Sequence, residues 1–308
     1  MKHYKPGYLK LLKTGELYKR VQEAIISLGN CETCPLSCGK NRLHGETGKC
    51  RTGKKAKISS YGPHFGEEVP ISGNRGSGTI FITNCNLQCQ FCQNYEVSQL
   101  NSGYEVTPEE LSDILLKLQG YGCHNINFVS PSHIVPQLLE GVYIAAQNGL
   151  NIPLIYNTGG YDSVKTLKLL DGIIDVYMPD MKYSDKEFGS IYSKVPNYPK
   201  INQAAIKEMH RQVGHLKINN EGIAYRGLLV RHLLLPENIA GTEIVLKFLV
   251  EEISTKTYLN LMDQYYPTFN SKDLPKLNRR ITKKEFIWAK KAALKNGLYN
   301  FDNKVRNI

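Results

Sequence analysis

From residue 76 onward, short apolar runs rich in β-branched residues alternate with longer amphipathic stretches. Six runs read as strands, at 79–83, 125–129, 153–156, 173–178, 228–235 and 258–262. Between them, apolar residues recur at helical spacing over 108–119, 133–147, 162–170, 200–213 and 242–252. Thr107-Pro108-Glu109-Glu110 is a strong helix start, with a Thr N-cap, Pro at the first position and carboxylates in the first turn. Residues 1–75 read differently. After one predicted helix at 9–28, stopped near Gly29-Asn30, they show little periodicity and are rich in glycine, lysine and cysteine.

Alternation of strand and helix predicts an α/β fold of parallel strands joined by helical crossovers. Six strands suit an open doubly wound sheet or a partial barrel. No Gly-x-Gly-x-x-Gly follows the first strand, which argues against a dinucleotide fold. Polar residues recur where the apolar runs end: Asn84-Cys85, Ser130, Asn157-Thr158 and Asp180-Met181-Lys182. Arg231-His232 interrupts the fifth run, and Asp263-Gln264 follows the sixth. Ligands of barrels and open α/β sheets sit at the carboxyl ends of the strands, so these groups are expected to converge.

Composition changes this picture little. The chain is 41% hydrophobic and 22% charged, with no apolar run long enough to cross a bilayer. Met1-Lys2-His3-Tyr4-Lys5-Pro6-Gly7 lacks the apolar segment of a secretory signal, so a cytoplasmic, reducing location is expected. The net charge is +11. Ten basic residues between 276 and 306 face only Glu285 and Asp302. A solvated terminal helix accounts for them; an acidic protein partner is compatible. No RNA-module signature or aromatic ladder favours a nucleic-acid footprint.

Cys85-Asn86-Leu87-Gln88-Cys89-Gln90-Phe91-Cys92 carries the clearest chemistry. Gaps of three and two residues put three thiols on one short loop after the first predicted strand. Three thiolates suit three corners of an iron–sulfur cube with one iron left open. A zinc site would need a fourth ligand from elsewhere. A second group, Cys31, Cys34, Cys38 and Cys50, has the spacing of a closed zinc site or an auxiliary iron–sulfur cluster; two disulfides suit a reducing compartment poorly. Cys123 is isolated and reads as a small buried residue.

Cys-x3-Cys-x-aromatic-Cys after the first strand of a β/α array resembles the radical S-adenosylmethionine (SAM) superfamily. The segments His64-Phe65-Gly66-Glu67-Glu68, Gly76-Ser77-Gly78-Thr79, Tyr156-Asn157-Thr158 and Val230-Arg231-His232-Leu233 resemble its pyruvate formate-lyase-activating-enzyme-like subgroup. The resemblance spans about residues 30–300. It implies a partial (β/α)6 TIM-type barrel at 76–300, with an N-terminal cysteine-rich extension at 1–75 and a basic tail at 301–308. It implies that Cys85, Cys89 and Cys92 hold a [4Fe–4S] cluster whose open iron chelates SAM. One electron would then release a 5′-deoxyadenosyl radical for hydrogen abstraction.

The resemblance also places Asn157 near the SAM ribose, and Asp180 and Lys182 near its methionyl end. Arg231, a charge within an apolar strand, must be paired or face the barrel mouth. The Gly-Gly-Glu usual after the second strand is replaced by Val129-Ser130-Pro131, which leaves Ser130 to supply part of the amino-group contact. Phe91 is expected to shield the cofactor or pack the loop. His64, Glu67 and Glu68 line the substrate side or form a polar linker. Implied partners are a protein or peptide substrate, such as a glycyl radical enzyme, and a low-potential donor such as flavodoxin or ferredoxin. The alternatives are another radical modification of protein or peptide, or a zinc-stabilised nucleic-acid-binding protein.

Overall fold

The structure, a computed structural model, describes residues 4–302. Its strands are β1 (Ala56–His64), β2 (Ser77–Ile82), β3 (Tyr104–Val106), β4 (Ile126–Val129), β5 (Leu154–Thr158), β6 (Val176–Pro179), β7 (Lys217–Ile218), β8 (Ala224–Leu233) and β9 (Tyr258–Met262). The α-helices are α1 (Tyr8–Lys13), α2 (Glu16–Ile26), α3 (Val69–Ser72), α4 (Tyr95–Ser98), α5 (Pro108–Gly120), α6 (Val135–Gln147), α7 (Val164–Leu169), α8 (Lys186–Ser193), α9 (Tyr198–Val213), α10 (Thr242–Phe248) and α11 (Lys283–Lys295).

All nine strands join one sheet. Parallel neighbours run β2-β4-β5-β6-β8-β9, the six predicted strands in chain order. Antiparallel β1 and β3 extend the sheet beyond β2, and β7 caps part of β8. The result is a partial, open β/α barrel with the crossover helices outside.

Period-two alternation sorts each strand's residues. On β5, β6 and β8 the outward residues Tyr156, Tyr177, Leu228 and Val230 enter the core beneath the helices. The inward residues Ile155, Val176, Met178 and Leu229 form a separate apolar plug with Ile71 and Tyr258. Two residues further along each strand, or just past its end, the same inward face reaches Asn157, Asp180 and Arg231. The plug therefore floors the barrel, and polar groups stand above it.

The structure departs from the sequence reading at several places. The helix expected at 9–28 is two helices, α1 and α2, broken at Gly15, whose φ of +75° is left-handed and favours glycine. The strand expected at 173–178 starts at Val176; Ile173 and Ile174 are buried in the preceding turn. β1 went unpredicted and belongs to the main sheet. The basic C-terminal stretch contains α11, which starts in a Thr282/Glu285 capping box and buries Phe286, Ala289 and Ala293. Residues 303–308 of the basic tail lie outside the described residues. Among the described residues, no helix is long and apolar enough to cross a membrane.

Candidate active site

Arg231 organises the polar layer above the plug. Its Nε donates to Asp180 Oδ1 at 2.8 Å and its Nη2 to Asn157 Oδ1 at 2.7 Å. Its Nη1 lies 3.9 Å from Glu67 Oε2. Lys182 Nζ donates to Asp180 Oδ2 at 2.6 Å. Burial pushes the Asp180 carboxyl up, but the Arg231 and Lys182 charges outweigh it and hold the group below the usual carboxylate range. Burial likewise disfavours the Lys182 ammonium, and Asp180 more than restores it. Each buried charge is thus kept ionised by its neighbours.

The loop at 85–92 begins past Asn84, whose φ is +70°. It is clamped from a distance: the Gln88 and Gln90 N–H groups donate to the Ser193 and Tyr192 carbonyls at 3.0 and 2.8 Å. Asn86 Nδ2 donates to the Tyr161 carbonyl at 2.7 Å. Phe91 is buried edge-on to Tyr183 and Tyr265, as expected of loop packing, and it also lines the cavity described below.

Each sulfur has a polar neighbour. The Leu87 N–H donates to Cys85 Sγ at 3.4 Å. Ser193 Oγ lies 3.0 Å from Cys89 Sγ, and Ser98 Oγ lies 3.2 Å from Cys92 Sγ. Burial, with mutual repulsion of the thiolates, pushes the Cys85 thiol up to about 12 and Cys89 to about 11; the Lys182 charge opposes the rise at Cys89.

These groups face one cavity of about 380 Å³, within the ordinary range for ligand sites. Its lining includes Cys85, Cys89, Cys92, Ser130, Asn157, Asp180, Lys182 and Arg231, so every cofactor-binding candidate from the sequence meets the three thiols here. No other cysteine lines it. Three sulfur donors without a fourth fit a four-iron cluster with one iron open to a chelating ligand. Residues 79–249 match the Radical SAM superfamily. The chain belongs to the radical SAM superfamily.

Radical SAM membership implies a [4Fe–4S] cluster and SAM. A protein of Methanocaldococcus jannaschii described as uncharacterized, MJ0674, is 33% identical over 96% of this chain and 82% of its own length. A second uncharacterized protein from that organism, MJ0808, is 24% identical over 64% of this chain and 55% of its own. The crystal structure of a radical SAM methyltransferase from Sphaerobacter thermophilus superposes with a TM-score of 0.51 at 14% identity. It covers 71% of this chain and 64% of that one, a likeness of fold alone.

The second cysteine group also converges. Cys31, Cys34, Cys38 and Cys50 line one small cavity of about 10 Å³ with Arg42 and His133. Burial pushes the Cys34 thiol up to about 12, with Cys50, Cys31 and Cys38 adding to the rise. All eight cysteines are free thiols, and among the described residues no three side chains already stand in metal-binding geometry. Arg42, nearly fully buried, donates to the His133 carbonyl at 2.8 Å and to the Gly53 carbonyl at 2.9 Å, tying this segment to the barrel.

His232 points away from the cavity: its Nδ1–H donates to the Met181 carbonyl at 2.6 Å, and its Nε2 lies 3.0 Å from Thr242 Oγ1. Cys123 is buried, as expected. His64 and Glu67 line the main cavity; Glu68 lines its neighbour. Sequence reasoning missed Ser193, Tyr183 and Ser98. They lie far from the motif or carry no distinguishing spacing, and only the fold brings them to the sulfurs.

Proposed function

We propose that this radical SAM protein abstracts a hydrogen atom from a protein or peptide segment, in the manner of the glycyl-radical-enzyme activases. The observation that carries the reading is a single cavity, at the carboxyl ends of the strands, holding three thiols beside buried groups of both charges. When bound, the cluster supplies the electron that splits the SAM sulfonium into methionine and a 5′-deoxyadenosyl radical. The chain's own residues bind and orient. Lys182 spends one ammonium proton on Asp180 and keeps others for the SAM carboxylate. The Asn157 carbonyl oxygen is taken by Arg231, which leaves its NH2 donors for the ribose hydroxyls. Asp180 and Ser130 face the positive amino end. Leu87, Phe91 and Met262 supply apolar wall that keeps water from the reacting centre.

Glycine as the target rests on the resemblance of the flanking segments. Peptides synthesised with α,α-dideuterated glycine test it. Deuterium recovered in 5′-deoxyadenosine supports abstraction from glycine Cα. Unlabelled product with every peptide contradicts the glycine target while leaving SAM cleavage intact.

We further propose that the four N-terminal thiols hold one zinc ion as a structural staple. The cavity they line is small, about 10 Å³, which suits a single tetrahedral ion better than a four-iron cube. Elemental analysis should find about one zinc per chain, lost in Cys34→Ser. Additional iron in place of zinc would contradict this.

A further inference from the structure

Beside the main cavity lies a second, about 120 Å³ in volume, sharing Gly66, Glu67, Arg231, Met262 and Gln264 with it. Its remaining lining includes Glu68, Asn260 and Asp263. Three carboxylates therefore face one cation, which they share with the main cavity: Arg231 Nη1 lies 3.9 Å from Glu67 Oε2, while its Nε and Nη2 donate to Asp180 and Asn157. Glu68 is only 4% exposed. Asn260 Nδ2 donates to its Oε1 at 2.8 Å, but its Oε2 is buried with no hydrogen-bond partner. A buried carboxylate oxygen without a donor costs the fold free energy unless a ligand satisfies it. Burial, with the neighbouring Glu67 charge, pushes the Glu68 carboxyl up even against the Arg231 charge. A bound cation would reverse that cost.

We propose that this side cavity is a substrate subsite that receives a protonated primary amine. Glu68 supplies the central carboxylate, while Glu67, already paired with Asn127 and Arg231, and the exposed Asp263 add negative charge. An ammonium brings three donors and one positive charge to a site rich in acceptors, whereas a carboxylate or phosphate would meet three like charges. The subsite opens onto the cavity that holds the three thiols, so a substrate anchored by its amine would present neighbouring carbon atoms to that cavity. This rests on the reading of the main cavity as the reaction chamber.

Met262 lines both cavities, and the chain has only five methionines, which makes its methyl group a resolvable probe. Protein reconstituted anaerobically with its cluster oxidised and labelled with 13C at the methionine methyls is titrated with n-butylammonium, butan-1-ol and butyrate. The Met262 resonance should shift saturably with n-butylammonium and with neither of the others, and the shift should persist at saturating SAM. Glu68→Gln should weaken the binding at least tenfold, and Asp263→Asn, at an exposed position that poses no folding risk, should weaken it about threefold. An equal response to butan-1-ol, wild-type affinity in both variants, or loss of the shift when SAM is added would overturn the proposal; the last would assign the carboxylates to SAM itself. Failure of the wild-type protein to form 5′-deoxyadenosine would overturn the main-cavity reading separately, since the amine titration needs no turnover.

Discussion

Replacing Ser193 by Ala should lower the midpoint potential of the cluster by about 40 mV. Ser193 is fully buried, with its Oγ 3.0 Å from Cys89 Sγ and 2.8 Å from the Tyr183 hydroxyl. An iron-bound sulfur carries no proton, so the Ser193 hydroxyl must donate to it, and the Tyr183 hydroxyl then donates to Ser193. Reduction adds negative charge at the sulfurs and strengthens such a bond. A differential of about 1 kcal/mol, typical for one hydrogen bond, corresponds to about 40 mV for a one-electron couple. The Ala variant keeps the Ser193 backbone carbonyl, which accepts from the Gln88 N–H, so the loop clamp survives. Tyr183→Phe removes only the outer donor and should lower the potential by less. The assay is an anaerobic redox titration followed by electron paramagnetic resonance, with iron content checked in parallel. A potential within about 10 mV of wild type at full iron occupancy, or a rise, would refute this reasoning.

Asn157→Ala removes one neutral hydrogen-bonding side chain from the SAM cavity and should weaken SAM binding about fivefold to tenfold with iron content unchanged; equal affinity by calorimetry would contradict its assignment. Gly160→Ala places a Cβ against the Asp180 carbonyl oxygen and the Asn202 amide at a φ of +75°, so urea unfolding should show a loss of more than about 2 kcal/mol. His232 is held neutral by burial, which pushes its imidazole down to about 4 despite the Met181 carbonyl and Asp180. The folded value lies below the unfolded value of about 6.5, so this stabilisation is complete above pH 6.5 and lost as pH falls to 4, about 3 kcal/mol in all. His232→Gln should therefore flatten the acid limb of stability by about one proton between those pH values; identical slopes would count against it.

The parallel half of the sheet was legible because each of its strands is buried on both faces and reads as a bounded apolar run. The cavity was legible for the same reason: Asn157, Asp180 and Arg231 break apolar runs where a strand would bury them. β1 escaped notice because it is half exposed, with Lys57, Ser59, Ser60 and Pro63 spoiling any alternation. Helix α8 is short and contains Gly189, which packs closely against Tyr198. Missing α8 also hid its C-terminal carbonyls and the Ser193 hydroxyl, which hold the cysteine loop across 104 positions of sequence. Such contacts depend on tertiary approach and leave no local pattern. Glu67 and Glu68 were visible as residues, but only the fold separates their roles, one reaching Asn127 and Arg231 and the other an empty-handed acceptor beside Asn260.

The most direct test of the central claim is anaerobic reconstitution with iron and sulfide, followed by SAM and dithionite, with quantification of 5′-deoxyadenosine. The account predicts 5′-deoxyadenosine and methionine in equal amounts from the wild-type protein and none from Cys89→Ala. Formation at the wild-type rate by Cys89→Ala, or none from a wild-type protein carrying a full cluster, would contradict it.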